Sequence, residues 1–188
     1  GGEPPIGWIG KTWALQQLFE KSKEEIVITL DADVRISSAA LSQAVSTLDT
    51  YKLDYLSIYP RQIVTTYGQR MIQPLLQWSW MATLPLSIAK NSSRPSMAVA
   101  NGQFFIVRRS ALLQAGGYES VKSDVLDDVF LARNLIRSNS YGTVINGASV
   151  ASCRMYSTWN QIENGYAKSL NHAFGSFLGS IFAITFLF

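Results

Sequence analysis

Ile26-Val27-Ile28-Thr29-Leu30-Asp31-Ala32-Asp33 is the stretch whose reading decides the fold. An apolar, β-branched run of strand length ends abruptly in two carboxylates. Downstream, Ser37-Ser38 offers an N-cap, and residues 39–48 have helical apolar spacing. Residues 55–58 then read as a second strand. This strand, helix, strand order predicts a βαβ unit and a parallel sheet. In open α/β sheets, ligands collect beyond the carboxyl ends of the strands, where Asp31 and Asp33 stand. In extended chain, residues i and i+2 share a face. Hard divalent cations prefer oxygen, and Mg²⁺ often takes one or two carboxylates plus phosphate oxygens. The pair is therefore a candidate site for a metal–diphosphate; the plain alternative is a solvated loop with two acids.

Asp124, Asp127 and Asp128 form a second acidic group, and the adjacent pair Asp127-Asp128 opens an amphipathic helix predicted over residues 125–137. Acids in a first helical turn are favoured by the helix dipole alone. The functional alternative is a general base held rigidly at a helix N-terminus. Between the two groups, residues 103–107 are strand-like, and residues 110–115 form a short helix stopped by Gly116-Gly117. Residues 141–153 read as one or two strands around the turn pair Asn146-Gly147, and residues 158–170 as a helix. Residues 71–89 are mostly apolar, with Pro74 and Pro85 near the ends, as in an interfacial or broken helix.

The 188 residues are 47% hydrophobic and 15% charged, enough for one domain with a real core and unlike a disordered chain. Cys153 has no partner cysteine, so a disulfide scaffold is excluded, and no Cys/His cluster suggests zinc. A net charge of +3 does not indicate a nucleic-acid binder. The charge is unevenly placed: no acid lies between Asp54 and Glu119, a stretch that holds Arg61, Arg70, Lys90, Arg94, Arg108 and Arg109 with Trp78 and Trp80. Cations among aromatic and apolar residues suit an anionic membrane surface. Residues 172–188 carry no Asp, Glu, Lys or Arg and end in Phe186-Leu187-Phe188. The expectation is an interior portion of a longer protein, with residues 1–171 as a catalytic domain and 172–188 as the start of a transmembrane segment.

Six motifs occur in order: Gly7-Trp8-Ile9-Gly10-Lys11-Thr12-Trp13-Ala14-Leu15, Asp31-Ala32-Asp33, Ala100-Asn101-Gly102-Gln103-Phe104, Gly116-Gly117-Tyr118, Leu126-Asp127-Asp128-Val129 and Arg154-Met155-Tyr156 with Trp159. In that order they resemble the family 2 glycosyltransferases of GT-A fold. The nearest resemblance is to the membrane-associated branch, with the hopanoid-biosynthesis-associated and carotenoid (diaponeurosporenoate) glycosyltransferases; ceramide glucosyltransferase is more distant. The resemblance implies an α/β GT-A domain whose mixed sheet has flanking helices and lacks the family's first strands. It implies that Asp31 and Asp33 hold Mg²⁺ or Mn²⁺ against a nucleotide-sugar diphosphate, and that Asp128 is the general base beside Asp127. Lys11 matches the lysine before the donor site, and Asn101 and Gly102 match the loop near the acceptor. Arg154 and Trp159 lie where relatives carry Gln-x-x-Arg-Trp. Here the Gln and Arg positions are Met155 and Thr158, and Arg154 is the candidate substitute cation.

The implied reaction is metal-dependent and inverting. A sugar moves from a nucleotide-diphospho-sugar to a hydroxyl or carboxyl of a lipid or isoprenoid-type acceptor, at a membrane and with the catalytic domain cytoplasmic. Two rivals stand beside it. A haloacid-dehalogenase-type phosphatase also ends an apolar strand in D-x-D, but it carries Thr or Val where this chain has Arg35. A non-catalytic membrane scaffold on the same fold is the other, since fold alone does not determine function.

Overall fold

The computed structural model describes residues 2–74, 94–156 and 158–165. Its first element is a helix, α1 (Gly10–Lys21). Thr12 and Phe19 are buried on it and Leu15 packs against the core, so the i, i+3, i+7 row faces inward. Thr12 anchors the helix start: its hydroxyl donates to the Ile9 carbonyl at 2.9 Å and to the Lys122 carbonyl at 2.8 Å.

The chain continues through β1 (Ile26–Leu30), β2 (Val34–Ile36), α2 (Ala40–Thr50), β3 (Tyr55–Tyr59) and β4 (Arg61–Gln62). After Arg94 come β5 (Phe104–Arg108), α3 (Arg109–Gln114), α4 (Asp127–Arg137), β6 (Gly142–Asn146) and β7 (Ala151–Cys153). A four-stranded sheet has the order β1-β5-β3-β6, and a three-stranded sheet the order β2-β7-β4.

Both predicted strands of the βαβ unit form, but they are not neighbours. β5 lies between β1 and β3 and pairs antiparallel with each, while β3 and β6 are parallel. The sheet is therefore mixed, as the family resemblance implies and the strand–helix–strand order alone did not. Phe104-Phe105-Ile106-Val107 is buried on both faces, as a central strand requires. Phe104 and Ile106 join Ala40, Ala44, Leu48, Leu56 and Ile58 on the α2 side. Phe105 and Val107 join Phe19, Tyr55, Leu112, Leu131 and Leu135 on the side of α1, α3 and α4. Small residues at Ala40 and Ala44 let α2 lie close to the sheet.

Other expectations need local correction. The predicted cap at Ser37-Ser38 is not used; Ala39 holds the N-cap position of α2 without a side-chain hydrogen bond. Gly116 and Gly117 end α3 as expected, with φ of 88° and 64°, where a β-carbon is strained. Asn146-Gly147 does not close a hairpin, because β6 and β7 belong to different sheets. Most of the apolar stretch 71–89 and all of 172–188 lie outside the described residues. Among the described residues, no helix is long and apolar enough to cross a membrane.

The charge reading also changes. Arg108 binds Glu25 at 3.2 Å, Asp49 at 2.6 Å and the Leu53 carbonyl at 3.1 Å. Arg109 donates to the Phe19 carbonyl and Ser22 Oγ and lies 4.5 Å over the Phe19 ring. Both cations are engaged with groups of the domain itself, Arg108 through ion pairs whose acidic partners are exposed.

Candidate active site

Three elements meet at one cleft. Asp31 directly follows β1, α4 begins with Asp127 and Asp128, and α1 contributes Lys11 from its first turn. Gly102, just before β5, completes the group; Leu15, Phe105, Tyr118 and Leu131 form the apolar floor.

Lys11 Nζ lies 3.5 Å from Asp31 Oδ1 and 3.3 Å from Asp127 Oδ1. Partial burial alone would lower the Lys11 pKa, but the carboxylates of Asp127, Asp31 and Asp128 outweigh it and hold the ammonium charged. Asp31 is shifted upward, chiefly by burial, with Lys11 opposing and Asp33 and Asp127 adding to the rise. Negative charge at the end of β1 is thus incompletely compensated.

Asp128 is half-buried, and its two oxygens are oriented by backbone. Gly102 N–H donates to Oδ2 at 2.7 Å and Val129 N–H to Oδ1 at 2.8 Å. Loss of water around the carboxylate, reinforced by the neighbouring Asp127 charge, pushes its pKa up to about 6; Lys11 and the two N–H donors oppose the rise. A carboxylate tuned towards neutrality suits proton abstraction near pH 7. Gly102 is required by close approach: a β-carbon there would meet Lys11 Nζ at 3.1 Å and Asp128 Cβ at 3.2 Å.

The predicted site residues divide. Lys11, Asp31, Gly102, Asp127 and Asp128 line the cleft together, whereas Asp33, Asn101, Arg154 and Trp159 are not among its lining. Asp31 and Asp33 do not share a face of extended chain. The Val34 N–H bonds back to the Asp31 carbonyl at 3.1 Å, so the D-x-D is a turn between β1 and β2. Asp33 instead faces the Cys153 thiol, whose pKa rises to about 12, from burial first and then from Asp33. Asn101 is occupied by its own loop: Oδ1 accepts from Gln103 N–H at 2.8 Å, and its N–H donates to Ser57 Oγ at 2.8 Å. Trp159 is 57% exposed, and its ring carbons lie 2.8 and 3.0 Å from where a β-carbon on Gly68 would be, so it packs against the helix at 67–74. Arg154 is exposed just after β7.

Sequence reasoning missed Tyr118 and Phe105 as cleft residues. It also missed the clasp that Gln69 makes. Gln69 Oε1 accepts from Thr66 N–H at 3.1 Å while Thr66 Oγ1 accepts from Gln69 N–H at 3.3 Å, a capping box legible as Thr-x-x-Gln. Its Nε2 reaches the Tyr156 carbonyl at 2.9 Å.

Among the described residues, no group of three or more His, Cys, Asp or Glu side chains is arranged to hold a metal ion. Asp31 and Asp33 remain close enough for Asp33 to raise the Asp31 pKa. Asp31, already paired with Lys11, offers carboxylate oxygen of the kind a hard divalent cation takes together with phosphate oxygens and water.

The chain belongs to glycosyl transferase family 2, whose model matches residues 4–115. No curated protein matches the chain. Among solved structures it is similar to a mannosyl-3-phosphoglycerate synthase from Rubrobacter xylanophilus, with 12% identity and a TM-score of 0.42. That similarity covers 82% of this chain and 46% of the synthase, so the chain spans less than half the length of that protein.

Proposed function

We propose that this chain carries the catalytic carboxylates of an inverting, metal-dependent glycosyltransferase. In this reading a sugar passes from a nucleotide-diphospho-sugar to a hydroxyl or carboxyl of a lipid-like acceptor at a membrane. The observation that carries the sugar-transfer reading is the oriented Asp128 carboxylate, held by Gly102 and Val129 beside Lys11, Asp31 and Asp127 in one cleft. Family membership supports the donor class. The order of the six motifs supports the membrane-associated branch, and exposed Arg61, Arg70 and Arg94 in an acid-free stretch support contact with anionic lipid.

Asp128 accepts the proton of the attacking acceptor group, so that a single displacement inverts the sugar's anomeric carbon. Gly102 N–H and Val129 N–H hold its two oxygens, which limits the carboxylate to one orientation. The Lys11 ammonium supplies positive charge towards the donor. Asp31 and Asp33 would hold Mg²⁺ or Mn²⁺, which neutralises charge on the departing diphosphate. Arg154 and Trp159, outside the cleft lining, are assigned to substrate binding at the Gln-x-x-Arg-Trp position, and Asn101 and Gly102 to the loop near the acceptor.

Titration calorimetry of the full-length protein with uridine- and guanosine-diphosphate sugars tests the donor and metal. Donor binding should be lost when EDTA strips divalent cations, and Asp33→Ala should abolish the metal-dependent part. Affinity indifferent to both treatments would remove Asp33 from metal binding. A carbonate wash tests the membrane: full-length protein should stay in the membrane pellet, and release into the supernatant would defeat integral association.

A further inference from the structure

Lys11 has a contact that its place beside a donor site does not require. Among the described residues lining the cleft it alone is cationic, and its ammonium lies between carboxylates from two different elements. Asp31 Oδ1 at the end of β1 is 3.5 Å away, and Asp127 Oδ1 at the start of α4 is 3.3 Å away. The third side is closed by Gly102, where even one added carbon would come within 3.1 Å of Nζ. The ammonium therefore sits beside the one D-x-D carboxylate that lines the cleft. A divalent cation placed on Asp31 would meet the paired ammonium at close range and lose part of its attraction to the carboxylate.

A diphosphate changes that balance. It brings at least two negative charges and several acceptor oxygens, so the ammonium can exchange carboxylate for phosphate. The stem of Lys11 is flexible and 42% of the side chain is exposed, so the exchange needs no movement of α1.

We propose that Lys11 is a tethered counter-ion that occupies the cation position of the carboxylate cleft and excludes a divalent metal until a diphosphate draws the ammonium away. The inference rests on the metal–donor reading above and adds an order to it: metal enters with the donor and not before it. It also gives Lys11 a second role, because the ammonium joins β1 to α4 while the cleft is empty.

The probe is Mn²⁺ alone, added to full-length protein without nucleotide, with free Mn²⁺ read by electron paramagnetic resonance. Wild type should bind weakly. Lys11→Met should bind Mn²⁺ at least about tenfold more tightly, as expected when a like charge beside a cation site is removed. Lys11→Arg should stay weak, and adding Asp31→Asn to Lys11→Met should erase the gain. Lys11→Gln, neutral but still able to donate to Asp127, gives the same reading if the methionine variant misfolds. Equal Mn²⁺ affinity in wild type and the neutral variants overturns the proposal. Donor-dependent metal binding would then persist in wild type and leave the functional reading standing. Tight binding of Mn²⁺ by nucleotide-free wild type also overturns it. Absence of Mn²⁺ binding in every variant, even with a nucleoside diphosphate present, overturns the metal assignment and this inference together.

Discussion

Asp128→Asn in the full-length protein should lower kcat by at least about 100-fold, the usual scale for loss of a positioned general base. Donor affinity should change far less, because the carboxylate is held by the backbone of Gly102 and Val129 and faces the acceptor's proton in the proposed reaction. The pH dependence sharpens the test. With its pKa pushed up to about 6, Asp128 loses its basic form as pH falls through that value, so wild-type kcat/KM should have an acid limb near pH 6. The residual activity of the variant should lack that limb. Stability carries the opposite sign. The folded-state pKa lies above the ordinary 3.8, so the native state binds the proton more tightly, and this group's contribution to stability falls as pH rises from about 4 to about 6. Asp128→Asn should flatten that slope. Wild-type turnover in the variant would remove Asp128 from the role.

Gly142→Ala should destabilise the fold strongly. Gly142 pairs with Tyr55 in the parallel register of β3 and β6. A β-carbon there would collide with the Tyr55 ring and, less avoidably, with the Tyr55 backbone carbonyl. Overpacking costs about 1–3 kcal/mol, and a clash with backbone belongs at the upper end. For a chain of this size, that corresponds to a fall in Tm of roughly 6–12 °C. Gly10→Ala is the control: its added carbon meets nothing within 4 Å, and the change should stay below about 1 kcal/mol. Similar melting of both variants would show the β3–β6 register to be wrong.

What could be read beforehand followed locality. The strand at residues 26–30 and the helix over residues 127–137 announce themselves by period and composition, and their ends carry Asp31, Asp127 and Asp128. The insertion of β5 between β1 and β3 left no mark in the intervening residues, because it is settled by which apolar faces pair at long range. α1 went unread because its inward row begins with the polar Thr12, held by a carbonyl from residue 122. The turn at Asp31-Ala32-Asp33 separated two carboxylates that extended geometry would have joined. Asn101 looked like a ligand by motif, yet its amide is consumed by the loop that presents Gly102. Lys11 and Asp127 were each legible as cleft residues; their contact was not, since 116 positions separate them.

The placement of β5 has a consequence for how the protein comes to exist. β1 and β3 cannot close into a sheet until a strand made some fifty residues after β3 arrives between them, with Phe105 facing Thr29 on one side and Ser57 on the other. Contacts of such long sequence separation are slow to form, because the chain loses loop entropy before they reward it. The same strand brings Gly102 to Asp128, so the step that closes the sheet also orients the base. An emerging chain that has made only β1 through β4 holds Asp31 but neither Gly102 nor the carboxylates of α4. The carboxylate cleft is therefore completed in order along the chain: Asp31 is laid down first, Gly102 and β5 follow, and the cleft closes only when α4 brings Asp127 and Asp128 to them.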